Sequence, residues 1–150
     1  MSFPEAAHAC PHLRGKCKPG LQALPPRDRQ RIDCPRPRCL TASLNLDEAL
    51  EQSLPNDPRW DYGIGFRTHE AHCVCWIEVH PATQSEAVIK KIDWLKHWLK
   101  QNAAALDALP ATFVWLASGA VRVTPASPAL KRLAARGVMF RGRQARIPPG

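Results

Sequence analysis

At 150 residues, 45% apolar and with a net charge of +8, the chain is long enough for one domain with a sizeable core and too apolar for a disordered segment. No run approaches the ~20 continuous apolar residues of a membrane span. The N-terminus MSFPEAAHACPHLRGK lacks the basic-then-apolar order of a secretory signal, so cytoplasmic location and reduced or metal-bound cysteines are expected. The charge is uneven: residues 1–40 carry eight Lys/Arg against three acids, 120–150 carry seven against none, and 41–119 carry six against ten. Basic ends around an acidic centre suit a polyanionic partner such as nucleic acid. They equally serve to keep a chain solvated.

In chain order, residues 1–39 hold seven of the fifteen prolines and four of the six cysteines without sustained periodicity, and are predicted to be an irregular arm. Residues 40–150 are predicted to be a small α/β domain with a central mixed sheet flanked by helices. NLDEALEQSL predicts a short helix to about residue 53, capped by Asn45 or Asp47. WDYGIGFR (60–67) and HCVCWIEVH (72–80) predict two strands joined by a polar loop. The clearest helix covers 84–101, where Thr83 and Glu86 have capping-box spacing and Val88, Ile92, Leu95 and Leu99 form one apolar stripe. TFVWLA predicts a buried strand, with a turn at Ser118 and Gly119 leading into AVRVT as a further strand. Pro128 starts a last helix that Gly137 ends, and VMFRGRQARI predicts a final strand or tail.

Glu78 stands inside an apolar strand, where an unpaired charge is costly. Alternation puts Cys73, Cys75, Ile77 and Val79 on one face and Val74, Trp76, Glu78 and His80 on the other. If residues 68–71 form the hairpin loop, Phe66 meets Cys73, Ile64 meets Cys75, Tyr62 meets Ile77 and Trp60 meets Val79. A one-residue slip would destroy this apolar match. The register also places Trp76 over Gly63 and Asp61 opposite Glu78. Two carboxylates so close require a divalent cation, a shared proton or a basic neighbour. Hard oxygen ligands on rigid strands suit Mg²⁺ or Mn²⁺, and His80 is placed to ligate or to act as acid or base. Lys91, at the edge of the helical stripe, is positioned to reach the carboxylates. A plain salt bridge from Lys91 or Arg67 to Glu78 satisfies the same residues.

A meander that sets Asp61 beside Glu78-Val79-His80, followed at once by a helix, resembles the PD-(D/E)xK nuclease superfamily, the restriction-endonuclease-like fold. The similarity covers roughly residues 45–118. It implies that Asp61 and Glu78 hold Mg²⁺ with the Val79 backbone oxygen, and that the metal activates water against a phosphodiester. Glu48 and Glu51 match the acids that the family takes from its first helix. His80 stands where the family has lysine, with Lys91 as the substitute from the helix, so a catalytically weakened descendant also fits. CLTASL is the segment available for the strand that the family places before the Asp-bearing one.

Cys10, Cys17, Cys34 and Cys39, with His8 and His12 as substitutes, are candidates for a structural Zn²⁺ site, although their spacing lacks tight CxxC pairs. Cys73 and Cys75 read as small core residues. Arg141, Arg143 and Arg146 are placed to touch phosphates or to form a solvated tail. Two functions follow: a metal-dependent nuclease-like domain, active or degenerate, or a non-enzymatic module clamped by zinc that binds nucleic acid or protein.

Overall fold

Alternating apolar strands and one long amphipathic helix build a layered α/β architecture. The computed structural model describes residues 1–121 and 127–149. The helices are α1 (Phe3–His8), α2 (Pro26–Arg29), α3 (Leu46–Leu50), α4 (Ser85–Asn102), α5 (Ala104–Asp107) and α6 (Pro128–Ala135). The strands are β1 (Ile32–Asp33), β2 (Leu40–Asn45), β3 (Tyr62–Arg67), β4 (His72–His80), β5 (Ala111–Ala117), β6 (Val138–Phe140) and β7 (Ala145–Arg146). The main sheet has the order β2-β3-β4-β5-β6, and β1 pairs with β7 in a small second sheet. Strands β2, β3 and β4 form an antiparallel meander, whereas β5 and β6 join in parallel. Parallel neighbours need crossovers, and α4 with α5 and then α6 supply them.

The predicted hairpin register is the observed one: Arg67 pairs with His72, Phe66 with Cys73, Ile64 with Cys75, Gly63 with Trp76 and Tyr62 with Ile77. Thr68 closes the loop, its N–H donating to Ala71 O at 2.9 Å and its hydroxyl accepting from the Glu70 and Ala71 N–H groups. The match fails only at the end. Trp60 does not extend the Tyr62 face; it is buried among the residues of the α-helical side. The recorded ladder stops at Tyr62.

Both faces of the sheet are covered. On one, Tyr62, Ile64, Phe66, Cys75, Ile77, Val114 and Leu116 pack with Leu24, Ala145 and Ile147. On the other, Val74, Trp76 and Trp115 pack against the α4 stripe of Val88, Ile92, Leu95 and Leu99 and against Phe3 of α1. Glu78 therefore points into a packed layer, not toward solvent. Gly63 and Gly65 make that layer possible. A Cβ on Gly63 would lie 2.6 Å from the Trp76 ring, and one on Gly65 would collide with Phe3 and Thr41. Two small residues on one strand face let α1 lie directly on the backbone.

The N-terminal segment is not an irregular arm. Ser2 caps α1 through a capping box with Glu5, Phe3 and Leu13 are fully buried, and β1 is fastened to β7. Its apolar residues lack a helical period because they serve several short elements in turn. Asn45 caps α3 as expected, its side chain accepting from the Glu48 N–H. The predicted Thr83–Glu86 capping box is absent: the N-cap of α4 is Gln84, and Glu86 pairs with Arg132 of α6. LTASLN forms β2. The strand expected in AVRVT lies largely outside the described residues. VMFRGRQARI divides into β6 and β7, which belong to different sheets.

Candidate functional site

The end of the β3–β4 ladder is where the carboxylates meet. Backbone N–H groups of Leu46 and Asp47, in the first turn of α3, donate to Asp61 O at 2.9 and 3.3 Å and hold that residue just beyond the ladder. The Asp61 N–H donates to Glu78 Oε1 at 3.1 Å, and the Val79 N–H donates to Asp61 Oδ2 at 2.9 Å. Each carboxylate thus satisfies a backbone donor at or beside its counterpart. Helix α4 then brings Lys91 over the sheet, its Nζ donating to Glu78 Oε2 at 2.5 Å and lying 4.0 Å from Asp61 Oδ1. His80 Nδ1 is 3.3 Å from Glu78 Oε2. The tautomer that donates through Nδ1 leaves Nε2 as an acceptor, and this buried nitrogen has no protein partner.

Glu78 has 0% exposure, while the Lys91, His80 and Asp61 side chains keep 19%, 19% and 20%. Burial, reinforced by the charge on Glu78, pushes the Asp61 pKa up to about 8 against the opposing pull of Lys91 and the Val79 N–H. Burial opposes the charge on Lys91, but the Glu78 and Asp61 carboxylates outweigh it and hold its pKa above the ordinary lysine value. Lys91 Nζ and Glu78 Oε2 are in ion-pair contact, and burial beside Glu78 favours the protonated form of Asp61. Of the three ways to relieve two opposed carboxylates, the structure displays the basic neighbour, and burial of Asp61 beside Glu78 favours a proton there.

A divalent ion such as Mg²⁺ or Mn²⁺ needs several oxygen ligands at about 2.0–2.6 Å. Here one oxygen of each carboxylate accepts a backbone N–H, and the Lys91 ammonium contacts the other Glu78 oxygen. Among the described residues no three His, Cys, Asp or Glu side chains gather so as to hold a metal. The arrangement does not fit a divalent ion with Lys91 in place.

The structure brings Asp61, Glu78, His80 and Lys91 together and leaves out other candidates. Arg67 lies at the far end of β3. Glu48 hydrogen-bonds back to Asn45, and Glu51 is exposed. The acid of α3 that acts on the cluster is Asp47, whose charge adds to the upward shifts of Asp61 and Lys91. Asp47 is itself paired with Arg59 at 2.9 Å. Neither was singled out for the cluster from sequence; Asp47 was read only as a candidate N-cap, and Arg59 immediately precedes the predicted strand.

The four-thiolate arrangement expected for Zn²⁺ is not formed. Cys10 and Cys17 pack in the layer on the α4 side, whereas Cys34 and Cys39 pack on the opposite side of the sheet. The five strands separate the two pairs. His8 and His12 lie on the α1 side and do not bridge that separation. Cys75 is buried, as expected for a core residue, and burial pushes its pKa up to about 12. Arg141 and Arg143 contact Met139 Sδ and Gly119 O. No helix among the described residues is long and apolar enough to cross a membrane. No protein-family model, curated protein or solved structure matches the chain.

Proposed function

We propose that the chain is a degenerate nuclease-like domain that binds nucleic-acid phosphodiesters without metal-dependent cleavage. One observation carries this reading. Asp61 at the start of one strand, Glu78 and His80 at the end of the next, and Lys91 from the crossover helix converge at a single point. That constellation is similar to a PD-(D/E)xK centre, and LTASLN supplies the strand that the resemblance calls for. Lys91 takes the place of the cation such a centre requires, which removes the means of activating water while offsetting the carboxylate charge that would repel a phosphate. The net charge of +8 acts in the same direction.

A mobility-shift titration with a labelled oligonucleotide at about 50 and 200 mM salt tests the binding, and incubation with Mn²⁺ tests the chemistry. The expected result is binding that weakens with salt, with no cleavage. Absence of binding at the lower salt rejects the proposal. Mn²⁺-dependent cleavage that disappears in both Asp61→Asn and Glu78→Gln would show an intact catalytic centre and overturn the degenerate assignment.

A further inference from the structure

Three segments distant in sequence line an open cavity of about 900 Å³ at the hairpin end of the sheet. The proline-stiffened turn before β2 contributes Arg36 and Arg38, the β3–β4 hairpin contributes Arg67 and His69, and β7 contributes Arg146. Among the described residues no acidic side chain lines it. Asp33 is the register partner of Arg146, but the two form no ion pair, and Glu70 in the hairpin pairs with none of the arginines.

The partners of the other arginines make this cavity distinctive. Arg59, Arg132 and Arg136 bind carboxylates; Arg27 and Arg31 meet Asp28. Arg14, Arg29 and Arg143 donate to backbone oxygens and Arg141 to Met139. Among the described residues, Arg36, Arg38, Arg67 and Arg146 alone of the arginines make no side-chain hydrogen bond or ion pair, and all four line the same cavity. Four guanidinium groups with no acidic partner among the described residues repel one another around one concavity unless an anion joins them. Their planar forks match phosphate oxygens in pairs.

We propose that this cavity binds a phosphate-rich small molecule of nucleoside polyphosphate type. Its volume falls within the ~300–1,000 Å³ of small-ligand sites. The Pro35, Pro37, Pro148 and Cys39 walls offer apolar surface for a ring beside the phosphates. Asp61 lies at the other end of β3, six residues from Arg67, or roughly 20 Å at the rise of a strand. The cavity is therefore a site separate from the carboxylate cluster and does not depend on the nuclease-like reading.

Calorimetric titration of the full chain with ATP and with inorganic triphosphate, at about 150 mM salt, tests this. ATP is expected to saturate one site and bind more tightly than triphosphate. Because hydrogen bonds to charged groups are individually strong, Arg38→Gln and Arg67→Gln are each expected to weaken binding ~10-fold or more. Arg143→Gln, outside the cavity, leaves it unchanged. Lack of saturation by either compound at about 5 mM (a free energy weaker than ~3 kcal/mol) overturns the site. So does an equal loss in the Arg143 variant. Equal affinity for ATP and triphosphate overturns the ring assignment, and displacement of ATP by an oligonucleotide at ~100-fold lower concentration would assign the cavity to a nucleic-acid strand instead.

Discussion

Lys91→Met tests how the charge on Glu78 is held. Methionine keeps an unbranched apolar stem but removes the ammonium 2.5 Å from a carboxylate that has no solvent exposure. Removing one partner of a buried pair commonly costs about 3–5 kcal/mol. Glu78 would retain the Asp61 N–H, with His80 Nδ1 3.3 Å away, which lowers the expectation to about 2–4 kcal/mol. That is a large fraction of the ~5–15 kcal/mol that stabilises a domain. Glu78→Gln removes the charge yet keeps an oxygen for the Asp61 N–H, so adding it to Lys91→Met should recover part of the loss. The expected coupling is about 1–3 kcal/mol. Urea unfolding followed by tryptophan fluorescence reads both effects, because Trp60, Trp76 and Trp115 are fully buried. A cost below ~0.5 kcal/mol for Lys91→Met, or strict additivity in the double variant, would refute the buried ion pair.

Asp61 should make stability fall with rising pH. Its folded value of about 8 lies above the ordinary 3.8, so its contribution is complete below the unfolded value and is lost as pH rises through the folded one. Asp61→Asn, permanently uncharged, is expected to flatten that decline in unfolding curves recorded between these limits; an unchanged slope would remove the proton from Asp61. Gly65→Ala is expected to cost about 1–3 kcal/mol by pushing against Phe3, and a neutral substitution, read as an unchanged urea midpoint, would show that α1 is not seated on β3. Burial raises the Cys17 and Cys75 pKa values to about 11 and 12, so both thiols should react slowly with a disulfide reagent at pH 8 in the native protein and rapidly in denaturant. Fast labelling of all six cysteines without denaturant would contradict that burial.

Much of the sheet was legible because strand registers are local. Four loop residues and an apolar match on one face determine which side chains oppose each other, and that register alone places Asp61 against Glu78. Helix α4 was similarly legible from its apolar stripe, and Lys91 from its place at the edge of that stripe. Trp60 broke the pattern because alternation holds only while the ladder lasts, and Asp61 lies one residue beyond it. The Thr83–Glu86 spacing misled because the N-cap of α4 falls one residue later, at Gln84, and Glu86 pairs instead with Arg132, brought close by the second crossover.

By itself the sequence determined the β3–β4 pairing, the α4 stripe and the proximity of Asp61, Glu78, His80 and Lys91, since each depends on periods of a few residues. Only the tertiary structure placed Lys91 Nζ 2.5 Å from Glu78 Oε2, because that contact turns on burial and on distances of a few ångströms. It also decided that the cysteines cannot share one ion, with the sheet lying between their two pairs. The cavity of unpaired arginines came from the same source: its walls lie more than 100 residues apart in the chain, from Pro35 to Pro148, and no local pattern records that they meet.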